Sequence, residues 1–148
     1  YESDEQGNAL CVRQFRQGIR AVTTEFPAGG IDRRDLTDPS LSAEEAALQA
    51  ARRELREETG YESEEWTHLL TVPSQATLSD NYAYLFAARN CRKATGQKLD
   101  EMELLDCLKL SPEEVEERIA AGGFQQAVHI LAWLLFRRTE REKGRTEG

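Results

Sequence analysis

Hydrophobic and polar positions change rhythm several times along this chain, and the changes mark out its elements. Ala9 to Phe15 (ALCVRQF) and Ala21 to Phe26 (AVTTEF) are short β-rich runs separated by a turn at Gly18, which predicts two strands. Pro27-Ala28-Gly29-Gly30 breaks the second run. The segment 31–41 (IDRRDLTDPSL) is charged and contains Asp38-Pro39, so it is expected to be an exposed loop. Ser42 with Glu45 three residues later forms a capping box, and strong helix formers follow until Gly60. Thr67 to Val72, Tyr82 to Arg89 and Glu103 to Leu110 read as strands. Ser111-Pro112 with Glu114 opens a second helix that stops at Gly122-Gly123. A third helix is expected from Phe124 to Arg138, so apolar at Val128, Leu131, Trp133, Leu134 and Leu135 that most of its circumference must be covered. Residues 139–148 (TEREKGRTEG) read as a polar tail. The order β, β, α, β, β, β, α, α predicts an α/β (α+β) domain in which a mixed sheet packs between helices.

Length and composition narrow the class. The 148 residues fit one domain spanning 1–148, and 39% hydrophobic with 31% charged residues suffices for a core. Asp and Glu outnumber Lys and Arg by 27 to 19, giving a formal net charge of −8, which disfavours nucleic acid as a partner. Cys11, Cys91 and Cys107 are an odd number without close spacing, so neither a disulfide framework nor a zinc site is indicated and a reducing, cytoplasmic compartment is expected. No apolar run approaches the roughly 20 residues that span a bilayer, so no membrane partner is expected. The chain does not open with Met, which leaves room for further sequence upstream.

The informative stretch is the helix from Glu45 to Gly60. At 100° per residue, Glu54, Glu57 and Glu58 fall on one side and continue a stripe formed by Ala46, Ala47, Ala50 and Ala51. Small apolar residues pack closely, so these carboxylates are held near the body of the domain, where like charges repel. Arg53 can reach Glu57 at i,i+4, which leaves Glu54 and Glu58 to share a cation between neighbouring turns. A hard divalent ion prefers such oxygen ligands. A solvated acidic helix face is the competing explanation, and periodicity alone does not separate the two.

The same residues resemble the Nudix box: Glu45, Arg53, Glu54, Leu55, Glu57, Glu58 and Gly60 match its pattern, with Tyr61 in the final apolar position. The leading Gly of that pattern falls at Pro39, so the box, about 29–61, carries a lengthened loop at 31–41. VRQFRQGI followed by TTEFPAGGID resembles the entry strands of the ADP-ribose and nucleoside diphosphate sugar pyrophosphatase branch of this superfamily. The resemblance implies the Nudix fold and a Mg²⁺-dependent hydrolase, with Mn²⁺ as a substitute. It implies Glu54, Glu58, Glu57 and the carbonyl of Ala28 as metal ligands, and Arg53 and Glu57 as parts of the catalytic cluster. Arg16, Glu25, Gly29 and Gly30 are implied as substrate contacts. A general base is implied just before the last strand, with Glu101 as first candidate and Glu103 as second. The expected substrate is a small-molecule nucleotide, ADP-ribose or a nucleotide sugar, cleaved to a nucleoside monophosphate and a phosphorylated partner. Hydrolysis of dinucleoside polyphosphates or nucleoside triphosphates, and a catalytically weak nucleotide-sensing module, stay open beside it. The branch also implies a homodimer. His68 and His129 lie outside any motif and are expected to be structural, and Trp66, Tyr82 and Tyr84 are assigned no site.

Overall fold

The computed structural model describes residues 1–31, 35, 38–94 and 106–146. Seven strands and three helices lie among them: β1 Glu2–Asp4, β2 Ala9–Arg16, β3 Ala21–Glu25, α1 Ala43–Thr59, β4 Tyr61–Glu62, β5 Glu65–Pro73, β6 Tyr82–Lys93, β7 Cys107–Leu110, α2 Pro112–Ala120 and α3 Ala127–Thr146. The sheet runs β3-β2-β1-β6-β4, with β5 also on β6 and β7 on β2. β1 and β6 are parallel while the other pairs are antiparallel, so the sheet is mixed, as expected.

Two strands were not legible beforehand. β1 holds only three residues, all polar, yet Glu2, Ser3 and Asp4 are buried because the strand is inserted between β2 and β6. Asp4 then serves the turn that follows, accepting from the backbone N–H of Gln6 (3.0 Å) and of Asn8 (2.9 Å). β4 is a two-residue continuation of the box helix, paired with the end of β6. The read strand from Glu103 survives as Cys107–Leu110, and its first residues lie outside the described ones.

The last helix differs at both ends from expectation. It starts at Ala127 and not at Phe124, because the preceding backbone serves β3: Thr24 N–H donates to the Gly123 carbonyl at 2.9 Å, and Gln125 N–H to the Thr23 hydroxyl at 3.3 Å. It also continues to Thr146, so the expected polar tail is helix as far as that residue. Glu140, Arg141, Glu142, Lys143 and Arg145 are good helix formers that outweigh Gly144, and the tail is fixed by Arg138 to Glu142 at i,i+4 (2.9 Å) and by Glu140, which accepts from Arg89 of β6.

The core has two parts. On one face Tyr1, Phe26, Phe124, Trp133 and Phe136 pack with Ala9, Cys11 and Val115. On the other, Leu10, Ala88 and Cys91 meet Leu55 of α1. The alanine stripe behaves as its periodicity requires: Ala46, Ala47 and Ala50 are buried, which lets α1 approach the sheet closely. Both ends of α1 are capped. Ser42 and Glu45 exchange hydrogen bonds in the capping box, and Gly60, at φ 73°, closes the helix in the left-handed region that glycine adopts without penalty.

Candidate active site

Helix α1 and the Pro27–Gly30 turn after β3 meet edge to edge, and the box carboxylates lie at their junction. Glu58 is 8% exposed. Its Oε2 accepts from the backbone N–H of Ala28 at 3.2 Å and its Oε1 from Gln14 Nε2 at 3.3 Å. Burial pushes the Glu58 carboxyl up to about 7, the charges of Glu54, Glu2 and Glu25 push in the same direction, and the Ala28 N–H opposes them. Glu54 lies against Gly29 so closely that a Cβ built there would sit 2.0 Å from its Oε1. A side chain at 29 would fill the cradle that this carboxylate occupies.

Arg53 organises the cluster, though not by pairing with Glu57 alone as the spacing suggested. Its fork binds Asp35 of the lengthened loop through Nε to Oδ1 (2.9 Å) and Nη2 to Oδ2 (3.0 Å), and Nη2 also donates to the Gly30 carbonyl at 3.0 Å. With the plane fixed in this way, Nη1 faces Glu54 (2.8 Å) and Glu57 (3.1 Å) together. Glu54 is therefore bridged by the guanidinium as well as Glu57. The Glu57 side chain is 42% exposed, placing it at the outer rim.

β2 and β3 supply a second pair. Arg16 donates to Glu25 through Nε (2.8 Å) and Nη2 (2.5 Å), and Glu25 is buried. Burial works to raise the Glu25 pKa, but the Arg16 hydrogen bonds, then those of Gln126, outweigh it and hold the group below the ordinary carboxylate range. His129 of α3 is also buried, its Nδ1 accepting from Phe26 N–H at 3.0 Å, and burial pushes its pKa down to about 4. The histidine is neutral, with Nδ1 taken up by the backbone.

A cavity of about 490 Å³ opens beside the cluster. It is lined by Ala28, Gly29 and Gly30 of the turn, Ala47 and Ala50 of α1, Tyr82 and Tyr84 of β6, and Glu2, Phe26 and Ala132. The structure thus gathers Ala28, Gly29, Gly30, Arg53, Glu54 and Glu58 at one place, with Glu57 at its rim and Arg16 and Glu25 on the neighbouring strands. Glu101 and Glu103 lie outside the described residues. Sequence reasoning missed Gln14, Asp35, Glu2 and the tyrosines of β6. Gln14 stands two residues before Arg16 on one strand face, a signal available from alternation; the others reach the site through long-range packing.

A divalent cation suits this donor set. The functional oxygens are carboxylates held beside a backbone turn, Glu58 is raised toward neutrality by burial and then by neighbouring negative charge, and the Glu54 cradle is open only because residue 29 lacks a side chain. Among the described residues, however, no three Asp, Glu, His or Cys side chains already stand in a metal-holding group. Arg53 draws Glu54 and Glu57 toward itself, and a cation would have to compete with it.

The NUDIX domain family model matches residues 2–134, and the chain belongs to this family. It is 29% identical over 128 residues to the methanol dehydrogenase activator of Bacillus methanolicus, covering 86% of this chain and 64% of that protein. It is 25% identical over 111 residues to the ADP-ribose pyrophosphatase of Bacillus subtilis, covering 74% of this chain and 55% of the relative. The chain therefore spans less than two thirds of the length of both. The fold matches that of an ADP compounds hydrolase with a TM-score of 0.73 at 22% identity, over 97% of this chain and 71% of the other. A NUDIX hydrolase from Nitrosomonas europaea superposes with a TM-score of 0.62 at 16% identity, over 93% and 84% respectively.

Proposed function

We propose that the chain is a Mg²⁺-dependent pyrophosphohydrolase acting on ADP-ribose or a closely related nucleoside diphosphate compound, to give AMP and a phosphorylated partner. The observation that carries this reading is the shared turn: Ala28 and Gly29 contact the Glu58 and Glu54 carboxylates on one side and line the cavity on the other. A diphosphate held at the carboxylates would place one flanking group in that cavity. Similarity to the Bacillus subtilis ADP-ribose pyrophosphatase supports the substrate class.

In this reading Glu54, Glu58, Glu57 and the Ala28 carbonyl would hold the metal, which would neutralise phosphate charge and favour attack by water. Arg53 keeps Glu54 and Glu57 oriented. Arg16, Glu25, Gly29 and Gly30 shape the contacts to the substrate. A water oxygen bonds to one phosphorus, the bridging P–O bond breaks, the departing phosphate takes the electron pair, and a carboxylate accepts the water's proton. Glu101, then Glu103, are the candidates for that carboxylate.

The test is a substrate panel of ADP-ribose, nucleotide sugars, dinucleoside polyphosphates and nucleoside triphosphates, with and without Mg²⁺, read by identifying both products. AMP and ribose 5-phosphate from ADP-ribose, lost with chelator and in Glu58→Gln, is the expected result. Turnover confined to triphosphates, or none across the panel, would overturn the reading.

A further inference from the structure

The ring of His129 is held by one edge and free at the other. Phe26 N–H can only donate, so Nδ1, which accepts from it at 3.0 Å, carries no proton. The imidazole is therefore neutral, and its single N–H is on Nε2. Phe26 also stacks on the ring, with centroids 6.1 Å and planes 19° apart, and turning the ring over would lose the Nδ1 bond. No hydrogen bond reaches Nε2 within the described residues, yet this atom is not sealed in as Arg137 Nε is. His129 is 8% exposed and lines the cavity, so the space that Nε2 meets is the cavity.

A largely buried N–H without a protein acceptor gains when a bound molecule supplies one. The surroundings restrict the kind of acceptor. Phe26, Tyr82, Tyr84 and Phe86 line the cavity with the alanines of α1, a surface suited to a flat ring. Among the described residues no lysine or arginine lines it, and of the charges near the imidazole the Glu25 carboxylate acts on it most strongly. A phosphate at Nε2 would be an anion without a counter-charge, so the acceptor that fits is uncharged. A heteroaromatic ring offers such an acceptor in its own plane. In adenine these are the ring nitrogens N1, N3 and N7. The contact reads an acceptor and not one particular base, since a keto oxygen could take the same N–H.

We propose, resting on the reading of the substrate as an adenine nucleoside diphosphate compound, that His129 is a binding residue whose Nε2–H donates to a ring nitrogen of the base seated in the cavity. His129 touches no reacting atom, so its replacement acts on affinity and KM, with the bond-breaking step left intact. The two edges of the ring can be separated by substitution. Asparagine carries an amide oxygen at the distance of Nδ1, which keeps an acceptor for Phe26 N–H and removes the donor at Nε2. Glutamine carries an amide N–H at the distance of Nε2 and leaves Phe26 N–H without its acceptor.

The experiment is calorimetric titration of AMP, its 1-deaza, 3-deaza and 7-deaza analogues and ribose 5-phosphate into the wild-type chain, His129→Asn and His129→Gln, alongside kcat and KM for ADP-ribose. In wild type one of the three analogues should bind about 3- to 10-fold more weakly than AMP, the scale of one hydrogen bond between uncharged groups. His129→Asn should weaken AMP by the same factor, raise KM without changing kcat, and bind that analogue no worse than AMP, closing the double-mutant cycle. Ribose 5-phosphate should not distinguish the proteins. His129→Gln should unfold more readily than His129→Asn and yet bind AMP more tightly, whereas a purely structural histidine would make stability and affinity fall together. Labelled-histidine nitrogen spectra of wild type add a reading that needs no variant: the Nε2–H signal should move on adding AMP and stay on adding ribose 5-phosphate. Absence of AMP binding, equal affinity for AMP and all three analogues, an analogue loss that persists in folded His129→Asn, or an equal weakening of AMP and ribose 5-phosphate would each overturn the inference. If ADP-ribose is not hydrolysed and this binding pattern holds, the proposed activity fails and the assignment of His129 stands. If ADP-ribose is hydrolysed and KM is unchanged in His129→Asn, the assignment fails and the activity stands.

Discussion

Asp35 grips Arg53 from outside the helix, with both carboxylate oxygens on the guanidinium fork at 2.9 and 3.0 Å. Asp35 is 2% exposed although its loop is highly charged, and its hydrogen bonds are the leading cause that raises the Arg53 pKa further above the ordinary arginine value. The lengthened loop thus contributes a structural residue to the cluster it precedes. Replacing Asp35 with Ala removes two charge-assisted bonds and leaves the fork free to rotate away from Glu54. The expected outcome is a loss of about 2–3 kcal/mol in chemical denaturation, between the cost of one charged hydrogen bond and that of a broken buried pair. A fall in kcat of about tenfold or more should accompany it, and Asp35→Glu should restore neither fully, because the longer stem shifts the fork. A parental kcat in Asp35→Ala would show that Arg53 keeps its orientation without the loop.

Gly29 and Gly30 are neighbours with opposite expected sensitivities. A Cβ at Gly29 would stand 2.0 Å from Glu54 Oε1, whereas nothing lies within 4 Å of one at Gly30. The obstructing atom is the end of a flexible side chain, so Gly29→Ala should cost about 1 kcal/mol or less in stability, the side chain swinging aside. The displaced carboxylate is then unavailable at the site. Activity at limiting Mg²⁺ should fall by about 10- to 100-fold, with the Mg²⁺ dependence moved to higher concentration, the scale seen when groups that orient a metal ligand are lost. Gly30→Ala, which leaves Glu54 where it is, should keep the wild-type Mg²⁺ dependence. Steady-state assays over a Mg²⁺ series distinguish the pair, and identical behaviour of the two variants would show that Glu54 does not need its cradle.

The box helix was legible almost completely, because every determinant is local: the Ser42 capping box, the alanine stripe, the i,i+4 acids and the Gly60 stop are all written within one segment. Glu45, counted by pattern as part of the box, proves to accept from Ser42 N–H at 2.7 Å and so closes the capping box. The two strands that precede the turn at Pro27–Gly30, β2 and β3, were legible for the same reason. What escaped was set by tertiary contact. β1 reads as polar surface until β2 and β6 enclose it, and Asp35 has no periodic relation to Arg53, 18 positions away. The C-terminal tail looked solvated because its charge pattern says so. Its helix is held by Arg89, which no reading of the tail alone would supply.

Two buried groups should give the chain opposing pH responses. Glu58 has its folded pKa raised from an ordinary carboxylate value to about 7, so the native state holds a proton that the unfolded state releases; its contribution is largest at low pH and declines as pH rises from about 4.5 to about 7. His129 has its folded pKa lowered to about 4, so below about 6.5 the unfolded state gains protons first and stability declines as pH falls toward 4. Between about pH 4.5 and 6.5 the two slopes oppose each other, and single variants should separate them. In metal-free Glu58→Gln the histidine response is left exposed, so this variant should gain on wild type as pH rises from 5 to 7.5, by about 1–3 kcal/mol after allowance for partial solvent screening. His129→Gln should show the reverse bias, losing ground to wild type over the same interval. Saturating Mg²⁺ favours the ionised Glu58 and so stabilises wild type more at pH 7.5 than at pH 5, an increment that Glu58→Gln should largely lack. Denaturation curves at pH 5, 6 and 7.5, with EDTA or Mg²⁺, measure all of these differences. If the gap between Glu58→Gln and wild type stays constant across that range, Glu58 is ionised throughout, and a carboxylate pushed toward neutrality is not what prepares this site for a cation.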